Sequence, residues 1–480
     1  VSKPTTKHAD WLKRMDTGTL SFRKGRPKEA AGAFRRAVEL QPQRNEGWIN
    51  LGSALLECAQ YEDAAHALQQ AIAIDPDIMI PHMLLGDALR MLGRRKPSIE
   101  SYSRAVALQR SPMALNKLAC ALRSRSKFEE AEALYFEAQR RDPAFTLARV
   151  NRATMQIERH RYDEARQQLE LLEQQTLPRQ EQQEVAGALD CIAEHARLSD
   201  AIDALARHGD LDTLRSRLAA IPAAQLRADR AALASVEAYA GRARGVGDAP
   251  ALPAIALPDE WPLIEAMHMI PLVHSVDEYV SVAASAPFAE NPEPRVLESL
   301  NMAPAIRAAR LCRDDMADPV RAEVNLRHWH ALAASGIEGF SPGHFKYTRN
   351  WVVRNPTLPR VTPHQCSGTM RYFISEIYGT LPPGLLRATV AFLGLLDPHP
   401  FADGNARIAM IWLNRELEWA GLMPALFPTD LGLKGQLSPA LAQARNNKEG
   451  VGQLLAVIAR AQRYARDFCI ELAEYRRESK

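Results

Sequence analysis

The chain has 480 residues, 46% of them hydrophobic and 24% charged, with a formal net charge of +3 at pH 7. That is the composition of folded globular domains, two to four of them by length, and it excludes a disordered or low-complexity chain. Near-balanced charge gives no global attraction to nucleic acid or to an acidic membrane surface, so neither is expected as a partner. No apolar run reaches the roughly 18 residues of a membrane span. Lys3, Lys7, Asp10, Lys13, Arg14 and Asp16 interrupt the N-terminal stretch, so no secretory signal is expected either. Cys58, Cys120, Cys191, Cys312, Cys366 and Cys469 are scattered with no C-x-x-C spacing. A reducing, cytoplasmic home is expected, with export into a host cell as an effector left open.

From about residue 11 to 178 the sequence repeats. Pro42 and Pro76 lie 34 residues apart (76 − 42), each after Ala, a large apolar residue and Ala at fixed offsets: Ala30, Phe34 and Ala37, then Ala64, Leu68 and Ala71. Trp48, Leu51 and Gly52 open the second copy, Leu85, Gly86, Tyr102 and Ala105 mark the third, and Leu118, Ala119, Ala131, Tyr135 and Ala138 the fourth, before Pro143. Ala153, Ala165 and Leu169 give a fifth, degenerate copy. This pattern resembles the tetratricopeptide repeat, a helix pair in which small residues allow close crossing and the large one fills the groove. The resemblance implies an α-solenoid whose concave face takes a peptide or another domain, with Trp48, Tyr102 and Tyr135 at packing positions.

Apolar spacing continues through Val185, Leu189, Ile192, Leu205 and Leu214 to a stop at Ile221-Pro222. Residues 1–225 are therefore expected to form the solenoid with its capping helices. The stretch Ala240-Gly241-Arg242-Ala243-Arg244-Gly245-Val246-Gly247 with Pro250, Pro253 and Pro258 reads as a linker over 226–260, which leaves 261–480 as a second domain. In that domain helices are predicted near 294–311, 317–334, Leu385–Leu396, Asn405–Ala420 and within 436–476. The β-branched and aromatic residues between Pro342 and Pro363 predict a hairpin.

The chemistry concentrates at His399-Pro400-Phe401-Ala402-Asp403-Gly404-Asn405-Ala406-Arg407, where one apolar helix breaks and another begins. Gly404 and Asn405 allow backbone N–H groups to converge at a helix N-terminus, where the dipole favours an anion. Arg407 adds a planar cationic fork for phosphate oxygens. Asp403 is a hard ligand of the kind Mg²⁺ takes when a substrate's phosphates also hold it. His399 can accept a proton near neutral pH. Phe401 reads as the apolar anchor of the loop.

These nine residues resemble the signature of the Fic family, H-x-F-x-[D/E]-G-N-x-R-x-x-R. Pro342-Gly343-His344-Phe345-Lys346 and Asn350-Trp351-Val352 look like the family's flap segment, so the resemblance covers roughly the last 190 residues. It implies a mainly all-α chain: a tetratricopeptide solenoid followed by a helical Fic domain with a β-hairpin flap. It also implies a nucleotidyltransferase, usually of AMP from ATP with Mg²⁺, acting on a Ser, Thr or Tyr hydroxyl of a protein recruited by the repeats. His399 would be catalytic and Asp403 the metal ligand. Gly404, Asn405, Ala406 and Arg407 would bind the nucleotide, and Asn350, Trp351 and Val352 would align the target by strand addition.

Two positions depart from the signature. Ala406 stands for a common Gly, and Met410 stands where AMP-transferring members carry a second Arg. Its loss resembles the Doc branch, which transfers phosphate. Phosphotransfer, or another nucleotide donor, is thus the alternative, and a non-catalytic repeat adaptor is a further one. Glu290-Asn291 lies where some members carry an inhibitory helix, although Ser285 sits five residues before the Glu and Ala286 four. Glu338 has a similar local pattern but falls just before the flap. His328 and His330, two apart on a helix, point to different faces and predict no metal site.

Overall fold

The computed structural model describes residues 6–125, 127–159, 161–244, 252–270, 272–285, 294–335, 341–346, 360–428 and 430–479. Every regular element among them is helical, and one isolated bridge pairs Pro253 with Leu422. Two compact units divide the chain, one built on residues 1–189 and one on 190–350 with 358–480.

The first unit is a run of helix pairs: α1 (Thr6–Arg23) with α2 (Pro27–Leu40), α3 (Asn45–Glu57) with α4 (Tyr61–Ile74), α5 (Met79–Met91) with α6 (Arg95–Leu108), α7 (Pro112–Arg123) with α8 (Phe128–Arg141), and α9 (Thr146–Glu158) with α10 (Tyr162–Glu173). Each second helix also packs on the first helix of the next pair. Pro27 and Pro112 sit in first turns, where a missing N–H costs nothing, and Pro42, Pro76 and Pro143 follow helix ends that they cannot extend.

Within pairs the crossing is small on large. A Cβ placed on Gly18 would lie 2.5 Å from the Phe34 ring, one on Gly52 2.6 Å from Leu68, and one on Gly86 2.5 Å from the Tyr102 ring. Each pair is sixteen residues apart (34 − 18, 68 − 52, 102 − 86). Tyr102 and Tyr135 are buried as expected, whereas Trp48 is half-buried and its Nε1–H donates to the Pro42 carbonyl at 2.9 Å.

The second unit begins inside α11 (Arg179–His208) and continues through α12 (Leu211–Ala219) and α13 (Arg230–Ala243). The unit boundary thus falls earlier than the Gly- and Pro-rich break. Leu198, Ala201, Ile202, Leu205, Leu214 and Leu218 form a cluster with Val324, and Ala232, Leu233, Val236, Tyr239, Ala240 and Ala243 enter the main core. The described part of the expected linker is packed rather than free. Asp229 N–H donates to Thr369 Oγ1 at 2.8 Å, Met423 N–H to the Leu252 carbonyl at 2.8 Å, and Ala254 N–H to the Gly421 carbonyl at 3.0 Å. Pro253 is tolerated there because an edge position needs no N–H from it.

The unit is completed by α14 (Trp261–Met269), α15 (Val276–Ser285), α16 (Pro294–Leu311), α17 (Pro319–Ala333), α18 (Cys366–Tyr372), α19 (Leu385–Leu396), α20 (Asn405–Trp419), α21 (Ser438–Asn446) and α22 (Lys448–Glu478). At its centre α19 packs along α20. Residues 387–395 of α19 and 408–417 of α20 are buried throughout; α19 is largely apolar in consequence, whereas α20 buries Asn414, Arg415 and Glu416 in the same run. Gly394 is forced by contact: a Cβ there would fall 1.9 Å from the Phe373 ring. The expected hairpin falls mostly on residues outside the described set. Its described ends, Ser341–Lys346 and Arg360–Pro363, carry a turn and the start of a short 3₁₀ segment, with no strand pairing.

Candidate functional site

The loop between α19 and α20 starts because Pro398 and Pro400 have no N–H to continue α19. Their carbonyls are used instead: Val361 N–H donates to Pro398 at 3.0 Å and Lys346 N–H to Pro400 at 2.8 Å. Both described ends of the 347–359 stretch are thereby fastened to the loop. Phe401 is fully buried, and the Asn405 side chain closes the loop from within, its Oδ1 accepting from Phe401 N–H at 2.9 Å and its Nδ2 donating to the Phe401 carbonyl at 2.8 Å. Asn405 is 2% exposed, and both ends of its side-chain amide are taken by Phe401. What it offers an anion is its backbone.

Gly404 has φ +76, a left-handed conformation in which another residue would cost roughly 1–2 kcal/mol, and α20 begins immediately after it. First-turn N–H groups of α20 therefore aim back at the loop, with Ala406 and Arg407 half-buried beside them. Met410, in the second turn of α20, is buried in the apolar core.

His399 is the strained member, a non-glycine residue with φ +54. Its Nδ1 hydrogen-bonds the Leu396 carbonyl, which can only accept, so the proton sits on Nδ1 and the Nε2 lone pair is the basic site. Burial, then the positive charge of Arg360, and further that of Lys346 and Arg445, push its pKa down to about 3 against the raising effect of the Leu396 bond. The imidazole is neutral at physiological pH. Arg360 donates to the carbonyls of Leu396 (2.8 Å) and Asp397. Asp397, 1% exposed, pairs with Arg445 and accepts from Ser235 Oγ at 2.6 Å.

Asp403 is exposed, and its Oδ1 accepts from Gly404 N–H at 2.6 Å. Among the described residues no group of three or more His, Cys, Asp or Glu could hold a metal ion. The donor set fits Mg²⁺ in one way: a single carboxylate supplemented by phosphate oxygens, not a protein cage.

His330, expected to have no ligand role, sits beneath this loop. Gly343 N–H donates to its Nδ1 at 3.0 Å and its Nε2–H donates to the Asp403 carbonyl at 3.2 Å, while its ring stacks on Phe401 with centroids 4.0 Å apart. Asn350, Trp351, Val352, Glu290, Asn291, Ala286 and Glu338 lie outside the described residues.

Residues 21–96 and 116–178 each match a tetratricopeptide repeat family. A curated relative, the Hsp70-Hsp90 organizing protein of Triticum aestivum, is 31% identical over 94 residues, 20% of this chain. The match spans 16% of that protein's length. Among solved structures, MamA is 23% identical over 32% of this chain and 91% of its own, with a TM-score of 0.30. Pseudomonas aeruginosa pilF is 15% identical over 45% of this chain and 91% of its own, with a TM-score of 0.35. The helix pairs over 21–96 and 116–178 are tetratricopeptide repeats.

Proposed function

We propose that this protein is a repeat-based adaptor that binds a protein partner. The observation that carries the proposal is the tandem of matched repeats, whose small-on-large crossings stack helix pairs in register. The wheat relative is named for Hsp70 and Hsp90, which makes those two proteins the first probes. Calorimetric titration of each into the full chain and into residues 1–178 should give equal affinities in the two. Binding by residues 179–480 alone would overturn a repeat-borne site.

A second reading is favoured by the loop geometry: the C-terminal unit is a Fic-like transferase acting on a hydroxyl of the bound partner. Bound Mg²⁺ and nucleotide would supply the phosphorus centre. This chain's own residues would then divide the work. The first turn of α20 and Arg407 receive phosphate oxygens, and Asp403 offers a hard oxygen to the metal. His399 Nε2 takes the proton of the attacking hydroxyl; burial first and then the nearby cations depress its basicity, and the approaching anion offsets the cations. The buried Met410 leaves AMP and phosphate transfer both open. Intact mass after incubation with each nucleoside triphosphate and Mg²⁺ tests it. A gain in mass that His399→Ala abolishes, with nucleotide affinity kept within several-fold, is the expected result. No gain with any triphosphate and any bound partner would leave the adaptor reading alone.

A further inference from the structure

We propose that His330 is the positioning residue of the loop, tying the carbonyl of Asp403 to the amide of Gly343 so that the loop and the segment entering the 347–359 stretch hold one relative placement. The inference rests on reading the loop as the transfer site. Its support is the arrangement around the ring. Because a backbone N–H can only donate, the Gly343 bond makes Nδ1 the bare nitrogen and leaves Nε2–H for the Asp403 carbonyl, so both ring nitrogens are used in a single tautomer. Both bonded segments turn on left-handed glycines, Gly343 at φ +77 and Gly404 at φ +76. Each glycine is also in close contact. A Cβ on Gly404 would lie 3.4 Å from the His330 ring, and one on Gly343 3.1 Å from Ile202 and 3.3 Å from the Arg327 carbonyl.

The ring belongs to a column of stacked groups. Arg327 lies 3.9 Å over the Phe345 ring, Phe345 is 5.1 Å from Phe401, and Phe401 stacks on His330 with planes 5° apart. Arg327 Nη1 also donates to the Gly343 carbonyl at 3.2 Å. The column thus fixes Gly343 from both its amide and its carbonyl. The His330 imidazole acts through Asp403, whose carboxyl is carried by the backbone that the imidazole holds.

Three substitutions in the full chain separate the contacts. His330→Phe keeps the stack and loses both hydrogen bonds. His330→Gln places an amide donor near Nε2, and His330→Asn places an oxygen near Nδ1. Hydrogen–deuterium exchange of peptides covering 401–405 and 341–346 is the primary readout, with calorimetric binding of Mg·ATP as the second. The Phe variant should exchange at least tenfold faster in both peptides and bind Mg·ATP at least tenfold more weakly. Gln should restore protection of 401–405, and with it most of the binding, while Asn restores only 341–346. Wild-type exchange in the Phe variant would overturn the proposal, as would equal effects of Gln and Asn on both peptides. Should Phe fail to fold, the Gln and Asn pair still decides. If the unaltered protein binds no nucleotide but the exchange pattern holds, the transferase reading fails and the positioning role stands.

Discussion

At the scale of single residues, this protein uses burial to choose protonation states. His399 and His330 are both kept neutral, their pKa values lowered to about 3 and about 4, by burial first and then by neighbouring cations. Glu265 on α14 is the mirror case. Burial, then the charge of Glu418, pushes its carboxyl up to about 8, although Asn414 Nδ2 and Trp261 Nε1 each donate to it at 2.9 Å. The sign follows from proton counting. Unfolded, this carboxyl ionises near its ordinary value of 4.5; folded, it keeps its proton to about 8. Raising the pH between those values therefore removes stability. Glu265→Gln cannot titrate, so thermal melts of the two proteins should converge, or cross in favour of the variant, as pH rises from 5 to 8. A constant difference across that range would show that Glu265 ionises normally.

At the scale of elements, the repeat pairs are set by the closest approach that a small residue permits, and Gly394 of α19 meets the Phe373 ring in the same way. Gly86 meets the Tyr102 ring where a methyl would stand 2.5 Å away, and Tyr102 is held by its hydroxyl donating to Asp87 at 2.7 Å. Gly86→Ala must displace that ring, with an expected cost of about 1–3 kcal/mol by overpacking, despite the better helix propensity of Ala. Circular dichroism melts of residues 1–178 would register the loss, and an unchanged or raised midpoint would mean that Tyr102 has another rotamer available. Gly32 on α2, with nothing within 4 Å of its would-be Cβ, is the control: Gly32→Ala should stabilise.

At the scale of the whole molecule, the second unit owns residues that composition assigns to the first. A chain starting at Arg179, the first residue of α11, should fold cooperatively. One starting at residue 226 loses Leu198, Ile202, Leu205, Leu214 and Leu218 from the cluster with Val324, together with Glu194, which accepts from the buried Arg327 at 3.3 Å. Arg327 would keep Glu323 as a partner, but its helix α17 would face water on an apolar side. Urea denaturation should show one sharp transition for 179–480 and a broadened, earlier one for 226–480. Equal midpoints and slopes would return the boundary to the Gly- and Pro-rich break. If the repeats recruit a target, the 179–480 chain should lose activity at low target concentration and recover it at high concentration, because tethering raises local concentration without altering the chemical step.

The sequence by itself determined the repeats and the loop because both are local. A 34-residue period states which residues face a neighbouring helix, and nine contiguous residues, 399–407, hold the candidate base, carboxylate, turn and cation. The limits of α19, Leu385–Leu396, were legible for the same reason: an apolar run that ends at Pro398 and Pro400 has one place to stop. Only the tertiary structure decided what supports the loop. His330, Lys346, Val361, Ser235 and Arg445 reach it across 37 to 162 residues of chain, through backbone carbonyls and the buried Asp397. An apolar period marks a face as buried without saying against what, so the end of α11 and α12 read as the tail of a solenoid and α13 as part of a linker. Asn405 shows the same limit at one side chain: its place in the loop was evident, and that both ends of its amide are taken by Phe401 was not.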